Sequence, residues 1–569
     1  MAIEERDVQA PLDEEIEEEY EYEYEDEPRG PSGLSLALNR YFHHLDRGGS
    51  LGGEILAGIS MFLLSVCVLF MNMQLVAGTI GLDGELVNAP GVQGNVDAAM
   101  LYTRLYAGSL LVSILGSLLM GLVARLPLTQ VSVMSLANGL LNLVLIESGL
   151  RWENLLLLNL IAGVVYTVIV CVPKLRQWVW DGIPGAVRRA MPAALGLLVG
   201  WYALKQTGLF TLSETGAVTG LAFGDMRQLL RWGLIGAAVA AALYVLLTAL
   251  KRKHRVFWSL LGGTAVFAGV VLALNGTDTS NTESFINFGR IWLIAGSQAS
   301  ATTPFADSYL TYAMDSIGAV FENLGQVFST GADFSAYTGN TVLTAIGGVL
   351  LYVLTALLGT QGVLGSAQSA INATAQEDAR LDLSTANAAA PALLCNALTN
   401  VAAPFFGVAG VGCGVSSVTS MKDHAKSGIA SLVACIGFVI SLFVMAFPAL
   451  LATQTYPVIS MNQWNYFAYG NGGLVYLMQG AVFTIVDIVL VCVGVSMAGC
   501  LKDCRGSAVS EWLSAIGCVI VAVLTGNLVA GALCGSVLWL AVSVFTDRKA
   551  IRVNTVVLTV LMAAAVALV

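Results

Sequence analysis

Two stretches decide the fold: LTQVSVMSLANG at 128–139, which follows Pro127, and FFGVAGVGCGVSSVTS at 405–420, which follows Pro404. Each interrupts apolar text with glycine, hydroxyl and amide residues, and each is too broken to cross hydrocarbon as one regular helix. They fall at corresponding places in the two halves of the chain. Paired defects of this kind point to an inverted-repeat transporter, in which a strip and a half-helix from each repeat meet near the bilayer midplane and turn helix N-termini toward a ligand. The reading that stays open beside it is a pair of glycine-rich packing helices, because small residues also let membrane helices approach closely.

The surrounding text is that of a polytopic helical membrane protein. Of 569 residues, 56% are hydrophobic and 11% charged, far below the roughly one quarter charged that covers a soluble domain. A span needs roughly 20 mostly apolar residues, and such runs occur at 54–78, 101–124, 153–173, 232–250, 257–274, 342–358, 427–452, 473–500 and 528–545. They are continuous rather than alternating, which excludes a β-barrel. The expected architecture is all-α, with seven plus seven transmembrane elements in an inverted repeat, core and gate domains and two half-helices.

The net charge of −11 belongs to one segment. Residues 1–30 hold 14 acids and two arginines, or −12, which leaves 24 acids and 25 bases, about +1, for the remainder. The run EEEYEYEYEDEP repels itself and has no apolar face, so 1–33 is expected to be a disordered acidic tail. No secretory signal is expected, because the first apolar run has the length of a true span. Most of the ten cysteines lie in apolar runs and read as small hydrophobes. Cys500 and Cys504 lack the second pair a zinc site needs, so no metal is expected.

Basic clusters fall on alternate connections: Arg40 and Arg47, Arg125, Lys174 to Arg189, Lys251 to Arg255, Lys422 and Lys426, Lys502 and Arg505, then Arg548 to Arg552. By the positive-inside rule these connections and the N-terminus are cytoplasmic. The expected division is 54–173 and 342–452 for the two halves of the core, 184–274 and 473–545 for the two halves of the gate, a polar outer connection at 275–340, and an apolar segment at 553–569 that is marginal for spanning.

The residues also resemble a known family. Tyr41-Phe42, Gly48, Glu54 to Gly58, Phe62, Phe70 and Asn72, then Gly116 to Leu122, Pro127, Ile183-Pro184, Ala190, Gly196, Leu204-Lys205 and Gly208 are similar, in order and spacing, to the azaguanine, hypoxanthine and guanine permease branch of the xanthine/uracil permeases. Thr360, Gly362, Gly407 and Ser427-Gly428 keep register in the second half. The resemblance implies elements one to four and eight to eleven as core, five to seven and twelve to fourteen as gate, and proton- or sodium-driven purine uptake by alternating access. It also implies carboxylates in the eighth and tenth elements and an asparagine in the third. Those positions align with Gly359, Ser416 and Ala137, with Asn138 adjacent to the last.

Neutral polar residues remain at that site. Gln361, Ser416, Ser417, Asn138 and Asn72 are the candidate substrate-binding residues, each weighed against a role in holding helices together. A glutamine amide both donates and accepts, as a nucleobase edge requires. Asp487, inside the run 473–500, is the candidate coupling group, against a structural pairing. Glu54 reads as a cap on the first turn of its own helix. No triad, phosphate loop or metal cluster is present in the text, so neither an enzyme nor a cofactor is expected. The expected partners are a small molecule such as a nucleobase, a proton or sodium ion, the lipid bilayer and a second copy in a homodimer, with no nucleic acid. An anion transporter or channel on the same fold, and a non-transporting receptor or scaffold, are the competing functions.

Overall fold

The computed structural model describes residues 33–79, 96–132, 145, 148–207, 209–212, 218–221, 228–275, 317–318, 320–321, 332, 339–422, 425–443, 473–504, 509–546 and 548–569. Residues 1–32 of the acidic tail, most of the polar connection, Asn138, His424 and the end of the run 427–452 lie outside them. The first half holds α1 (Gly33–Phe42), α2 (Leu51–Thr79), α3 (Val96–Leu119), β1 (Gln130–Val131), α4 (Trp152–Cys171), α5 (Pro173–Gly182), α6 (Gly185–Gln206), β2 (Phe210–Leu212), β3 (Val218–Leu221), α7 (Gln228–Ala249) and α8 (Arg255–Asn275). The second holds α9 (Asn340–Asn372), α10 (Ala390–Ala402), β4 (Gly412–Cys413), α11 (Val415–Lys422), α12 (Gly428–Phe443), α13 (Gly473–Met497), α14 (Val509–Thr525), α15 (Leu528–Thr546) and α16 (Val553–Ala567). Counting each strip as one element, α2–α3–β1–α4–α6–α7–α8 and α9–α10–β4/α11–α12–α13–α14–α15 are seven and seven. The protein is a multi-pass membrane protein: six described helices are long and apolar enough to span.

The helices pack as two groups. α2, α3 and α4 interleave with α9, α10 and α12, while α6, α7 and α8 interleave with α13, α14 and α15. Within the first group the two broken stretches meet as an antiparallel pair, with Gln130 opposite Cys413 and Val131 opposite Gly412. Pro127 and Gly407 set this up from the sequence. Proline cannot continue a helix ladder, and Gly407 ends the turn after Pro404 in the left-handed region (φ 73°) that a side chain resists. Backbone that leaves a helix at membrane depth must be satisfied by protein, and here each strip satisfies the other.

Small residues fix how closely the helices come. A Cβ added to Gly428, at the start of α12, would collide with the backbone carbonyl of Gly121 in the turn Met120–Ala124 that follows α3. Backbone cannot give way as a flexible side chain can, so Gly428→Val is expected to cost about 3 kcal/mol. A thermal melt of the detergent-purified variant checks this, and an unchanged Tm would refute it.

Glu54 lies in the first turn of α2, as its position predicts, but its carboxylate serves another helix. Oε1 accepts the Lys426 amide at 2.8 Å, just ahead of α12. The first turn of α2 points its side chains at α12 because the two helices pack along their length, so the same charge closes the helix end it faces. Around it, Arg47 Nη1 donates to the Lys426 carbonyl (3.1 Å) and Lys426 Nζ to the Ala370 carbonyl (2.7 Å), tying the basic end of α2, α9 and α12 together. The last apolar segment forms α16, which packs on α5, α9 and α15. Asn554 at its start meets Trp178 and Gly182, and Leu568 after its end meets Gly347 near the start of α9, so it stands alongside α9.

Candidate functional site

Gln361 lies in the middle of α9 and is 4% exposed, yet neither its Oε1 nor its Nε2 has a hydrogen-bond partner. An amide buried in that condition costs roughly 1–3 kcal/mol, so it calls for an explanation. The explanation is the space it faces. Gln361 lines a cavity of about 780 Å³ between the two helix groups, within the range of pockets that bind small molecules. Gly365 and Gln368 of α9 and Val418 of α11 form one wall, while Pro192 of α6 and Met497 of α13 stand on the other. Gly362 lets α9 approach this far, since a Cβ there would come within 2.7 Å of Met191 Cβ.

The rim is cationic. Arg188, Arg189, Arg255 and Lys426 contribute to the lining, and among the described residues no lining residue is Asp or Glu. Arg189 is paired with Glu511 at 2.6 Å. Burial holds the Lys426 ammonium below the ordinary lysine value, and the Glu54 carboxylate opposes that shift.

Ser416 and Ser417 come from the first turn of α11 and are completely buried. Ser416 Oγ bonds to Ser65 Oγ of α2 at 2.7 Å, and Ser417 Oγ accepts the Thr129 amide at 2.9 Å. Their hydroxyls thus tie the half-helix to α2 and to the strip before β1. Of the other expected site residues, Asn138 lies outside the described residues and Asn72 is described only as backbone within α2. Asp487 is 2% exposed on α13, and the Cys67 thiol of α2 donates to its Oδ1. The structure therefore brings Gln361 to the cavity, the two serines to the strip crossing, and Asp487 to the seam between helix groups.

Asn396 and Asn400, which are not among the expected site residues, complete the crossing. Asn400 Nδ2 donates to the Val411 carbonyl and Asn400 Oδ1 accepts the Val411 amide, both at 2.8 Å. Asn396 Nδ2 reaches the same carbonyl at 3.2 Å, and Asn396 Oδ1 accepts the Thr360 hydroxyl, one residue from Gln361. The signal was present: asparagines at i and i+4 in the apolar segment 390–402 share a helix face. Gln130, beside the strip partner Cys413, keeps an unpartnered Nε2.

No family model matches the chain. Its sequence is similar to the adenine permease AdeP of Escherichia coli (26% identical over 173 residues, 30% of this chain and 34% of that one) and to its adenine permease AdeQ (24% over 223 residues, 39% and 44%). It is also similar to the guanine/hypoxanthine permease PbuG of Bacillus subtilis (25% over 260 residues, 45% and 55%). The matched stretches thus span between 34% and 55% of these relatives' own length. Among solved structures, the transmembrane domain of a cyanobacterium bicarbonate transporter, BicA, aligns at 12% identity with TM-score 0.42, covering 84% of this chain and 97% of that one. SLC26A9 aligns at 12% identity with TM-score 0.43, covering 87% and 66%. On these sequence matches the chain is a divergent relative of the nucleobase permeases.

Proposed function

We propose that the protein is a permease that carries a nucleobase, purine-like in shape, across the cytoplasmic membrane by alternating access. In this reading α2–α4 with α9–α12 form the core that holds substrate, α6–α8 with α13–α15 form the gate, and the N-terminus is cytoplasmic. The observation that carries it is the orphaned Gln361 amide at the cavity between the two groups. One amide offers both a donor and an acceptor to a flat heterocycle whose edge alternates the two. The names of the relatives, adenine and guanine/hypoxanthine permeases, support the cargo class.

Purified protein in proteoliposomes is expected to take up labelled adenine or hypoxanthine, with unlabelled purines competing, under an imposed proton or sodium gradient. A purine panel with no uptake and no thermal shift would refute it. The cationic rim without a carboxylate favours one competitor, an anion carrier. Sulfate or bicarbonate flux in the same vesicles, without purine uptake, would establish that instead.

A further inference from the structure

Asp487 is a carboxylate in the middle of an apolar helix, and among the described residues nothing of opposite charge acts on it. An isolated charge in such a place is costly, and the groups that tolerate it perform a task. α13 packs against α2, α6, α7, α8, α11 and the turn Ala498–Cys504. The ionisable groups described on those elements are elsewhere. Arg188, Arg189 and Arg255 line the cavity rim, Cys500 lines it from the turn and Lys502 lies beyond, and Lys205 holds its ammonium over the Trp201 and Tyr202 rings. Glu54 is bonded at the start of α12, and Tyr244 of α7 is buried. Among the described residues, only Cys67 acts on the Asp487 carboxyl directly.

That contact crosses the seam. Cys67 belongs to α2 in the first group, two residues past Ser65, whose hydroxyl holds Ser416 at the half-helix. Asp487 belongs to α13 in the second group. Ten residues further along α13, Met497 lines the cavity, so Asp487 lies about 15 Å deeper along the helix, where α2 and α13 close the seam. A movement that opened the cavity on the other face would carry Cys67 away with Ser65 and uncover Asp487.

We propose that Asp487 is a proton-binding site on the gate, and that its protonated form, bonded to Cys67, closes the seam in the conformation seen here while deprotonation parts it. The inference rests on the alternation of the two helix groups proposed above. A neutral acid can lie dry between α2 and α13, and an anion cannot without water or a cation. The coupling or gating proton therefore binds away from the substrate cavity, across the seam from the aligned positions Gly359 and Ser416, which hold no carboxylate.

The test uses the full-length protein in nanodiscs and needs no substrate. Infrared difference spectra between about pH 5 and about pH 9 should contain the C=O stretch of a protonated carboxyl that titrates in this interval, and Asp487→Asn should remove it. Peptide mass spectrometry then compares N-ethylmaleimide labelling of Cys67 with that of exposed Cys171. The ratio should rise at least tenfold from low to high pH in the wild type and stay low in D487N. If D487N does not fold, Cys67→Ser carries the first arm, because a new donor on the same oxygen shifts the band. A spectrum without that band, a Cys67 to Cys171 ratio indifferent to pH, or D487N behaving as wild type would overturn the assignment. Purine uptake with a static ratio leaves the permease standing without this site. A titrating ratio without purine uptake leaves the site and removes the cargo.

Discussion

Gln361→Leu is expected to abolish substrate uptake while leaving the folded protein at least as stable as the wild type. The two effects differ in sign because both atoms of the amide are buried and unpartnered. In a side chain that held helices together, leucine would remove hydrogen bonds and lower the melting temperature. Here leucine removes only a desolvation cost of roughly 1–3 kcal/mol and fills nearly the same volume. A bound heterocycle would lose two hydrogen bonds, roughly 2–3 kcal/mol, or about 30- to 150-fold in affinity. Scintillation proximity binding of labelled adenine, read beside a thermal melt, gives both signs at once. A destabilised Q361L with normal binding would return Gln361 to the role of a helix tie.

Gln361 could be picked out in the sequence because it stands two residues past Gly359, the position that the family resemblance aligns with a carboxylate, and hydrocarbon makes polar residues in a span expensive. The same cost made the two broken stretches legible, since an interruption at 128–139 and another at 405–420 can be tolerated only where protein covers them. Other features could not be read that way, because they depend on which helices become neighbours. Nothing in Glu54 itself says that its carboxylate will close α12 rather than its own helix; the packing of α2 on α12 decides it. Ser416 and Ser417 read equally well as ligands or as ties, and only the positions of Ser65 and Thr129 show what their hydroxyls hold. α9 extends to 33 residues, well past the apolar run 342–358, because its polar second half packs against α6 and α11 and lines the cavity. Cys67 and Asp487 lie 420 residues apart in the chain, so no local pattern links them.

Asn400→Leu is expected to destabilise the protein by about 3 kcal/mol and to weaken substrate binding from a distance. In the wild type the Asn400 amide imitates a missing strand, giving Val411 both a donor and an acceptor. Leucine leaves the two backbone groups of Val411 in unequal positions. The carbonyl keeps Asn396 at 3.2 Å, whereas the amide loses its partner in a buried site. An orphaned backbone group of that kind costs about 1–3 kcal/mol, and more where lipid excludes water. The pull toward a new partner acts on the residue next to β4, whose pairing with β1 sets the place of α11 and of the Val418 wall. Thr399→Val is the control, because the Thr399 hydroxyl bonds only the Cys395 carbonyl one turn back in its own helix, and its loss should change stability by under about 0.5 kcal/mol. Asn396→Leu combined with Asn400→Leu should exceed the sum of the single changes, since together they strip both groups of Val411. If N400L melts with the wild type and binds adenine equally well, the strip is held by the β1 pairing alone.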